Sequence, residues 1–346
     1  MNDLKLLNQI RFSFSKDEEV SADIDDIKEW LRGKREEAMS ATHAESTLCA
    51  YKSMWRIFET FCFMFEYKSM PASFEAVADF LCAYIQDRAS ASARNAYSAI
   101  RYYHLINGYE FNYTIEIKHL LKGLRRLHGS APGRKKPIKT DVIKMICAAL
   151  DERGGVKSIR DKALLLGAYG GALRASEVVG QNLEHLTFDH RGLSILIPRS
   201  KTDQEGEGQE VPIPRAMNTE RCPVLAMEEW RDVLIRMRGG SRSGPLFPVL
   251  RAGGDRAFRE VHLVDRRMST NDYRSILKDL CAEAGEDPDE IGGHSLRSGH
   301  ATQAAENGAS PFVIAAQGRW RSLQMVMVYV RLGKRFQNNS VHHLGL

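Results

Sequence analysis

The sequence predicts a mainly α protein in two parts, an N-terminal all-α domain and a C-terminal mixed α/β (α+β) domain with a small antiparallel sheet. Three observations carry this. From residue 24 to about 128, apolar residues recur at three- and four-residue intervals in segment after segment. That pattern stops at "HGSAPGRKKP", which is rich in Gly, Pro and base. Beyond it a short apolar pair, "LSILIP" and "EVPIP", stands between further helical patterns. A chain of 346 residues is long enough for a core in each part.

Taken in order, residues 1–20 form a tail and 21–128 the helical domain, whose helices include "TLCAYKSMWRIFETFCFMFEY", "SFEAVADFLCAYIQDR", "ASARNAYSAIRYYHLI" and "TIEIKHLLKGLRRL". Residues 129–137 read as an extended linker. The second domain, 138–346 with a C-terminal tail, opens with a helix start at Thr140–Asp141. A largely buried helix, "SIRDKALLLGAYGGAL", and a short one, "RASEVVGQ", follow, separated by a Gly-containing bend. The hairpin "LSILIP"/"EVPIP" turns through the polar "RSKTDQEGEGQ", and its prolines suit an edge strand. "NDYRSILKDLCAEAG", "SPFVIAAQG" and "SLQMVMVYVRLG" read as helices again.

Composition excludes more than it selects. A formal charge of +5 is mildly basic, so its distribution matters more than its sum. From Lys118 to Lys139 there are eight Lys/Arg and no Asp or Glu, either a solvated run or a polyanion-binding surface. Six scattered cysteines without a C-x-x-C read as reduced core residues. "MNDLKLLNQIRFSFSKDEE" has no apolar signal region, and "ALLLGAYGGAL" is too short to cross a bilayer. The expectation is a cytoplasmic chain with no membrane partner.

The stretch "GGHSLRSGHAT" (292–302) concentrates chemistry. His294 and His300 are six residues apart, on different helix faces, with a guanidinium between them that would repel a dication, so no metal is expected. His294 and Arg297, at i and i+3, share a face and suit one phosphate. The flanking glycines fit either a close backbone approach or a simple turn. Elsewhere "GALRASEVV" offers Arg174 with Glu177 at i+3, "PRSKTDQ" offers Lys201 in the hairpin turn, "GRWRS" offers Trp320, and "VMVYVR" offers Tyr329. Nine residues separate Trp320 from Tyr329, two and a half helical turns, which calls for a helix break near Ser322 as N-cap. Each piece alone also has an ordinary structural reading: an ion pair, a solvated lysine, a core tyrosine.

In combination these motifs resemble the tyrosine site-specific recombinases, the phage integrase family, and among them the Cre-like members. The first-box arginine falls on Arg174 with its acidic companion Glu177, the hairpin lysine on Lys201 and the H-x-x-R box on His294 and Arg297. The histidine-or-tryptophan position falls on Trp320 and the nucleophile on Tyr329. The last four are spaced by three, twenty-three and nine residues. The resemblance runs through the whole chain and implies a core-binding domain, a linker and a catalytic domain of the tyrosine recombinase fold. His300 matches no catalytic position.

The resemblance implies a site-specific recombinase acting on two DNA sites through a covalent 3′-phosphotyrosyl intermediate, with no ATP, metal or other cofactor. A phenol of pKa about 10 is protonated at neutral pH and must lose its proton as it attacks. His294 is the acceptor or relay, and Lys201 protonates the leaving 5′-oxygen. Arg174 and Arg297 clamp the phosphate, and Trp320 donates its indole N–H. The partner implied is double-stranded DNA with inverted repeats, bound by a homotetramer. Lys122, Arg125, Arg126, Arg134, Lys135 and Lys136 would follow its backbone, while Lys52, Ser53, Arg56, Ser92, Arg94, Asn95, Asn271 and Arg274 are candidate base readers. The tail "SVHHLGL" would dock on a neighbouring protomer or fold back in cis, and His342–His343 is no ligand pair. A type IB topoisomerase and a catalytically silent DNA-binding protein are the competing readings.

Overall fold

The structure is a computed structural model, and it describes residues 24–41, 43–86, 88–129, 134–198, 208–253, 260–334, 341 and 344. The chain divides into two compact units, Met1–Gly133 and Arg134–Leu346.

In the first unit α1 (Ile24–Ala41), α2 (Glu45–Met64), α3 (Phe74–Tyr84), α4 (Ser90–Ile106) and α5 (Thr114–His128) follow one another. On α4, Ala93, Ala96 and Ile100 point inward at helical spacing, and the small alanines let α2 lie close with Trp55, Phe58 and Cys62 buried. Trp55 stacks on Tyr103 with ring centroids 4.9 Å apart, and Phe58 meets Phe80 edge-on at 5.1 Å. Each such pair adds roughly 0.5–1.5 kcal/mol to area burial. Ser73 caps α3 by accepting the Ala76 N–H at 3.2 Å. Among the described residues of this unit one polar side chain is buried: His104 accepts the Ala72 N–H at Nε2 (2.9 Å) and donates from Nδ1 to the Ile100 carbonyl (2.8 Å). Burial lowers its pKa, which keeps this doubly bonded tautomer neutral.

The second unit begins with an extended stretch, 134–139, that is already packed structure. The Lys136 N–H donates to the Glu290 carbonyl (2.8 Å) and the Ile138 N–H to that of Ser295 (2.9 Å). Gly299 permits this, because a Cβ there would stand 1.8 Å from the Ile138 oxygen. Next come α6 (Thr140–Arg153), α7 (Gly155–Gly170) and α8 (Ala175–Gly180). In α7 every residue from Ala163 to Ala168 is buried, the outcome for a helix apolar all round.

The strands β1 (Leu186–Phe188), β2 (Gly192–Ile197) and β3 (Gln209–Pro214) form an antiparallel sheet in that order. Leu193 faces Ile213 and Ile195 faces Val211, all four buried, so one face of the sheet joins the core. Pro212 and Pro214 alternate outward on the edge strand β3, where a missing N–H costs no ladder bond. The helix α9 (Pro223–Met237) and a second hairpin, β4 (Pro248–Gly253) with β5 (Glu260–Arg267), are absent from the sequence reading. The "PVLRAG" of β4 has no strand periodicity to announce it.

The chain closes with α10 (Thr270–Glu283), α11 (Ser295–Glu306), α12 (Pro311–Gly318) and α13 (Leu323–Gly333). The last three share a small core of Ala301, Ala305, Ile314, Val326 and Val330. All six cysteines are free thiols, four of them buried, and burial pushes Cys62, Cys147 and Cys281 up to about 11. Among the described residues no helix is long and apolar enough to cross a membrane.

Candidate active site

Arg174 is set by the bend that ends α7. Ala172 turns the chain with φ 45°, a left-handed conformation that costs a non-glycine residue about 1–2 kcal/mol. Arg174 then stands as N-cap of α8, and Glu177 one turn on accepts its N–H at 2.9 Å. The same carboxylate takes a second bond from the Arg174 guanidinium. Glu177 is only 4% exposed. Burial works to raise its pKa, but Arg319, the Arg174 N–H and the Arg174 guanidinium outweigh it and hold the carboxyl below its usual range.

Arg297 enters from α11, whose N-cap is His294. The turn before it is closed by Ser295, whose Oγ accepts the Gly292 N–H at 3.0 Å. Arg297 is 5% exposed, donates to the Ala172 carbonyl at 2.5 Å and to the Gly318 carbonyl, and lies over the Trp320 ring at 4.1 Å. These bonds use part of a fork of five N–H donors and leave the rest for an anion. Burial first, then the charge of Arg174, pushes Arg297 down to about 9, so it remains charged at neutral pH.

The loop after α12 supplies the aromatic pair. Gly318 is required because a Cβ there would fall 1.7 Å from the Trp320 ring. The N–H groups of Arg319 and Trp320 cap the helix on the Ala316 and Ala315 carbonyls, at 3.1 and 3.0 Å, with Arg319 left-handed at φ 57° and ψ 45°. The Ser322 Oγ then accepts the Gln324 N–H at 3.2 Å and starts α13, the expected helix break. Val326 and Val330, one turn apart, anchor α13 in the small core and bring Tyr329 to Trp320 with ring centroids 5.7 Å apart.

These contacts join Arg174, Glu177, Arg297, Trp320 and Tyr329 in one constellation of two guanidiniums, a buried carboxylate, an indole and a phenol. Comparison with known proteins bears directly on what it is for. Residues 136–335, more than half of the chain, match the phage integrase family. The chain belongs to that family. The integrase/recombinase xerD homolog of Selenomonas ruminantium is 30% identical over 319 residues, 91% of this chain and 89% of that protein. Two solved structures share the fold. A XerH site-specific recombinase bound to a palindromic difH substrate has a TM-score of 0.54 at 15% identity, covering 75% of this chain and 69% of that one. A lambda integrase dimer bound to a COC′ core site has 0.54 at 14%, covering 88% and 94%. This member of the family is a tyrosine recombinase, a DNA breaking and rejoining enzyme, and its function is site-specific recombination. A topoisomerase role is not favoured, because the similarity to a recombinase runs through nearly the whole chain.

The other residues singled out from this recombinase's sequence fall in three groups. Lys201 and the His342–His343 pair lie outside the described residues. His294 is exposed at the head of α11, while His300 lies farther along that helix, its Nδ1 2.8 Å from the Tyr169 carbonyl. Lys52, Ser53 and Arg56 are exposed on α2. On α4, Arg94 and Asn95 are exposed and Ser92 is half-buried, and Asn271 and Arg274 are exposed on α10.

In the basic run, Lys122, Arg125 and Arg126 are exposed and make no ion pair among the described residues, and Arg134 is exposed as well. Lys135, however, donates to the Asp289 carbonyl at 2.6 Å, Lys136 is paired with Glu286, and Lys139 with Glu306 at 2.5 Å. Part of the run's charge is therefore spent inside the second unit. One site residue was missed altogether: Arg319, 8% exposed at its side chain, donates to Glu177 at 2.6 Å.

Proposed function

We propose that Tyr329 attacks a DNA phosphodiester, forming a 3′-phosphotyrosyl link and releasing a 5′-hydroxyl that later attacks a partner strand's phosphotyrosine. The observation that carries this reading is the contact chain from Tyr329 through Trp320 to Arg297, beside the Arg174–Glu177 pair. A nucleophile stands next to guanidiniums that cannot discharge at neutral pH, and an anion gaining charge on its equatorial oxygens is what such a group stabilises. The phosphate sits between Arg174 and Arg297, and Trp320 orders Arg297 as well as offering its N–H. His294 takes the phenol proton and Lys201 protonates the leaving oxygen. No step consumes ATP, since the bond energy is kept in the phosphotyrosine.

The substrate is double-stranded DNA carrying inverted repeats, engaged at two sites by a homotetramer in the cytoplasm, in association with the nucleoid. A lambda integrase tetramer bound to a Holliday junction has the same fold, with a TM-score of 0.54 at 14% identity, and supports that assembly. The segment 21–128 is the core-binding domain, with α2, α4 and α5 toward DNA, 129–137 the linker, and 138–346 the catalytic domain. The exposed Lys122, Arg125 and Arg126 of the core-binding domain give affinity and salt dependence without sequence information.

The test starts from a target site selected out of a randomised duplex library by binding to the full chain. A plasmid carrying two copies of that site should be excised or inverted without metal or ATP. Relaxation of supercoils with no exchange between sites would refute the two-site reaction.

A further inference from the structure

We propose that Arg319 is a positioning residue of the phosphate clamp, holding the Glu177 carboxylate so that Arg174 is left free to meet the scissile phosphate. The inference rests on the clamp reading above.

The position is an expensive one for an arginine. It closes α12 in the left-handed conformation that glycine adopts without strain, at φ 57°. The side chain nevertheless folds inward rather than into solvent. Its Nη2 donates to Glu177 Oε2 at 2.6 Å, and its Nη1 donates to the Gln317 carbonyl at 3.0 Å and the Gly171 carbonyl at 3.4 Å. It thereby ties the Trp320 loop to the bend that carries Arg174. Glu177 Oε2 also accepts the Arg174 N–H at 2.9 Å, while Oε1 faces the Arg174 guanidinium. One carboxylate between two guanidiniums leaves a net positive charge.

That surplus decides how the clamp works. With Arg174 as its sole counter-charge, a buried Glu177 would hold the guanidinium back, because releasing it to a phosphate would strand an unpaired carboxylate. Arg319 supplies a counter-charge that stays in place when Arg174 turns to substrate. It also keeps Glu177 ionised against its burial. Without it, the carboxyl loses the largest influence that opposes its burial and its pKa rises, and once protonated it leaves the backbone N–H of Arg174 without a charged acceptor.

The experiment uses the full chain and single-turnover covalent cleavage of the selected duplex, nicked near the scissile phosphate, from about pH 5.5 to about pH 9. Arg319→Gly removes the guanidinium and relieves the left-handed strain; Arg319→Lys keeps a charge. Arg319→Gly loses a partner of a buried carboxylate but relieves left-handed strain; it should remain folded at the assay temperature, checked by its thermal melt, yet cleave about ten- to a hundredfold more slowly at neutral pH, as expected for a misplaced clamp. It should slow further as pH falls, because Glu177 becomes protonated, and Arg319→Lys should restore part of the rate and remove that acid loss. A wild-type rate and pH profile in Arg319→Gly, with Arg174→Ala inactive, would overturn the positioning role and leave the clamp intact. Wild-type cleavage by Arg174→Ala would overturn the clamp itself and this inference with it.

Discussion

The two units of the molecule spend burial on different things. The first packs rings: Trp55, Phe58 and Phe80 are buried with Phe58 in contact with the other two, and His104 is its one buried polar side chain among the described residues. The second buries ions, namely Arg160, Asp161, Glu177 and Arg297. Rings gain by leaving water, whereas a buried ion costs several kcal/mol unless paired. The second unit meets that cost with specific partners: Glu177 between two arginines, Arg297 on two carbonyls and an indole ring. Its Ala172 and Arg319 also hold left-handed backbone at the site. The first unit thus sets a ring-packed core beneath the exposed Lys122, Arg125 and Arg126, whereas the second holds charge in its interior.

This contrast makes separable predictions. The larger effect belongs to the buried clamp. Arg297→Lys keeps a positive charge but loses the planar fork, so strand cleavage should fall by about two to three decades while DNA affinity moves only a few-fold. Single-turnover rates and gel-shift titrations on the same selected duplex check this, and equal losses in both would erase the distinction between the units. The smaller effect belongs to the exposed face of α5. Arg125→Ala or Arg126→Ala should weaken binding uniformly across sequences and lower the slope of log K against log salt by about 1 each, with the saturated cleavage rate unchanged. A loss of cleavage at saturating DNA would mean that α5 reaches the chemistry.

The contrast also explains what could be read from sequence. The helices of the first unit announce themselves because burying rings on one face imposes a 3.6-residue period, as at Ala93, Ala96 and Ile100. The Arg174–Glu177 pair was legible because both residues lie within one helical turn, and the Ser322 break because nine residues cannot return to one face. Arg319 was not legible. It belongs to no periodic face, its left-handed φ is the signature of glycine, and its partner Glu177 lies 142 residues away. The pairing of Lys136 with Glu286 and of Lys139 with Glu306 was hidden for the same reason, across 150 and 167 residues. A basic run in sequence therefore overstates the basic surface: α5 keeps its charges in solvent, while the stretch from Lys135 spends most of its charge inside its own unit.

The nucleophile is the centre of the account. The most direct measurement traps the covalent adduct on the nicked duplex, digests the protein and locates the phosphodeoxyribosyl group by mass spectrometry, with Tyr329→Phe run in parallel. The account predicts a 3′-linked adduct on the peptide containing Tyr329 and none from Tyr329→Phe, with DNA binding unaltered. An adduct formed by Tyr329→Phe, or mapped to any other residue, would contradict it.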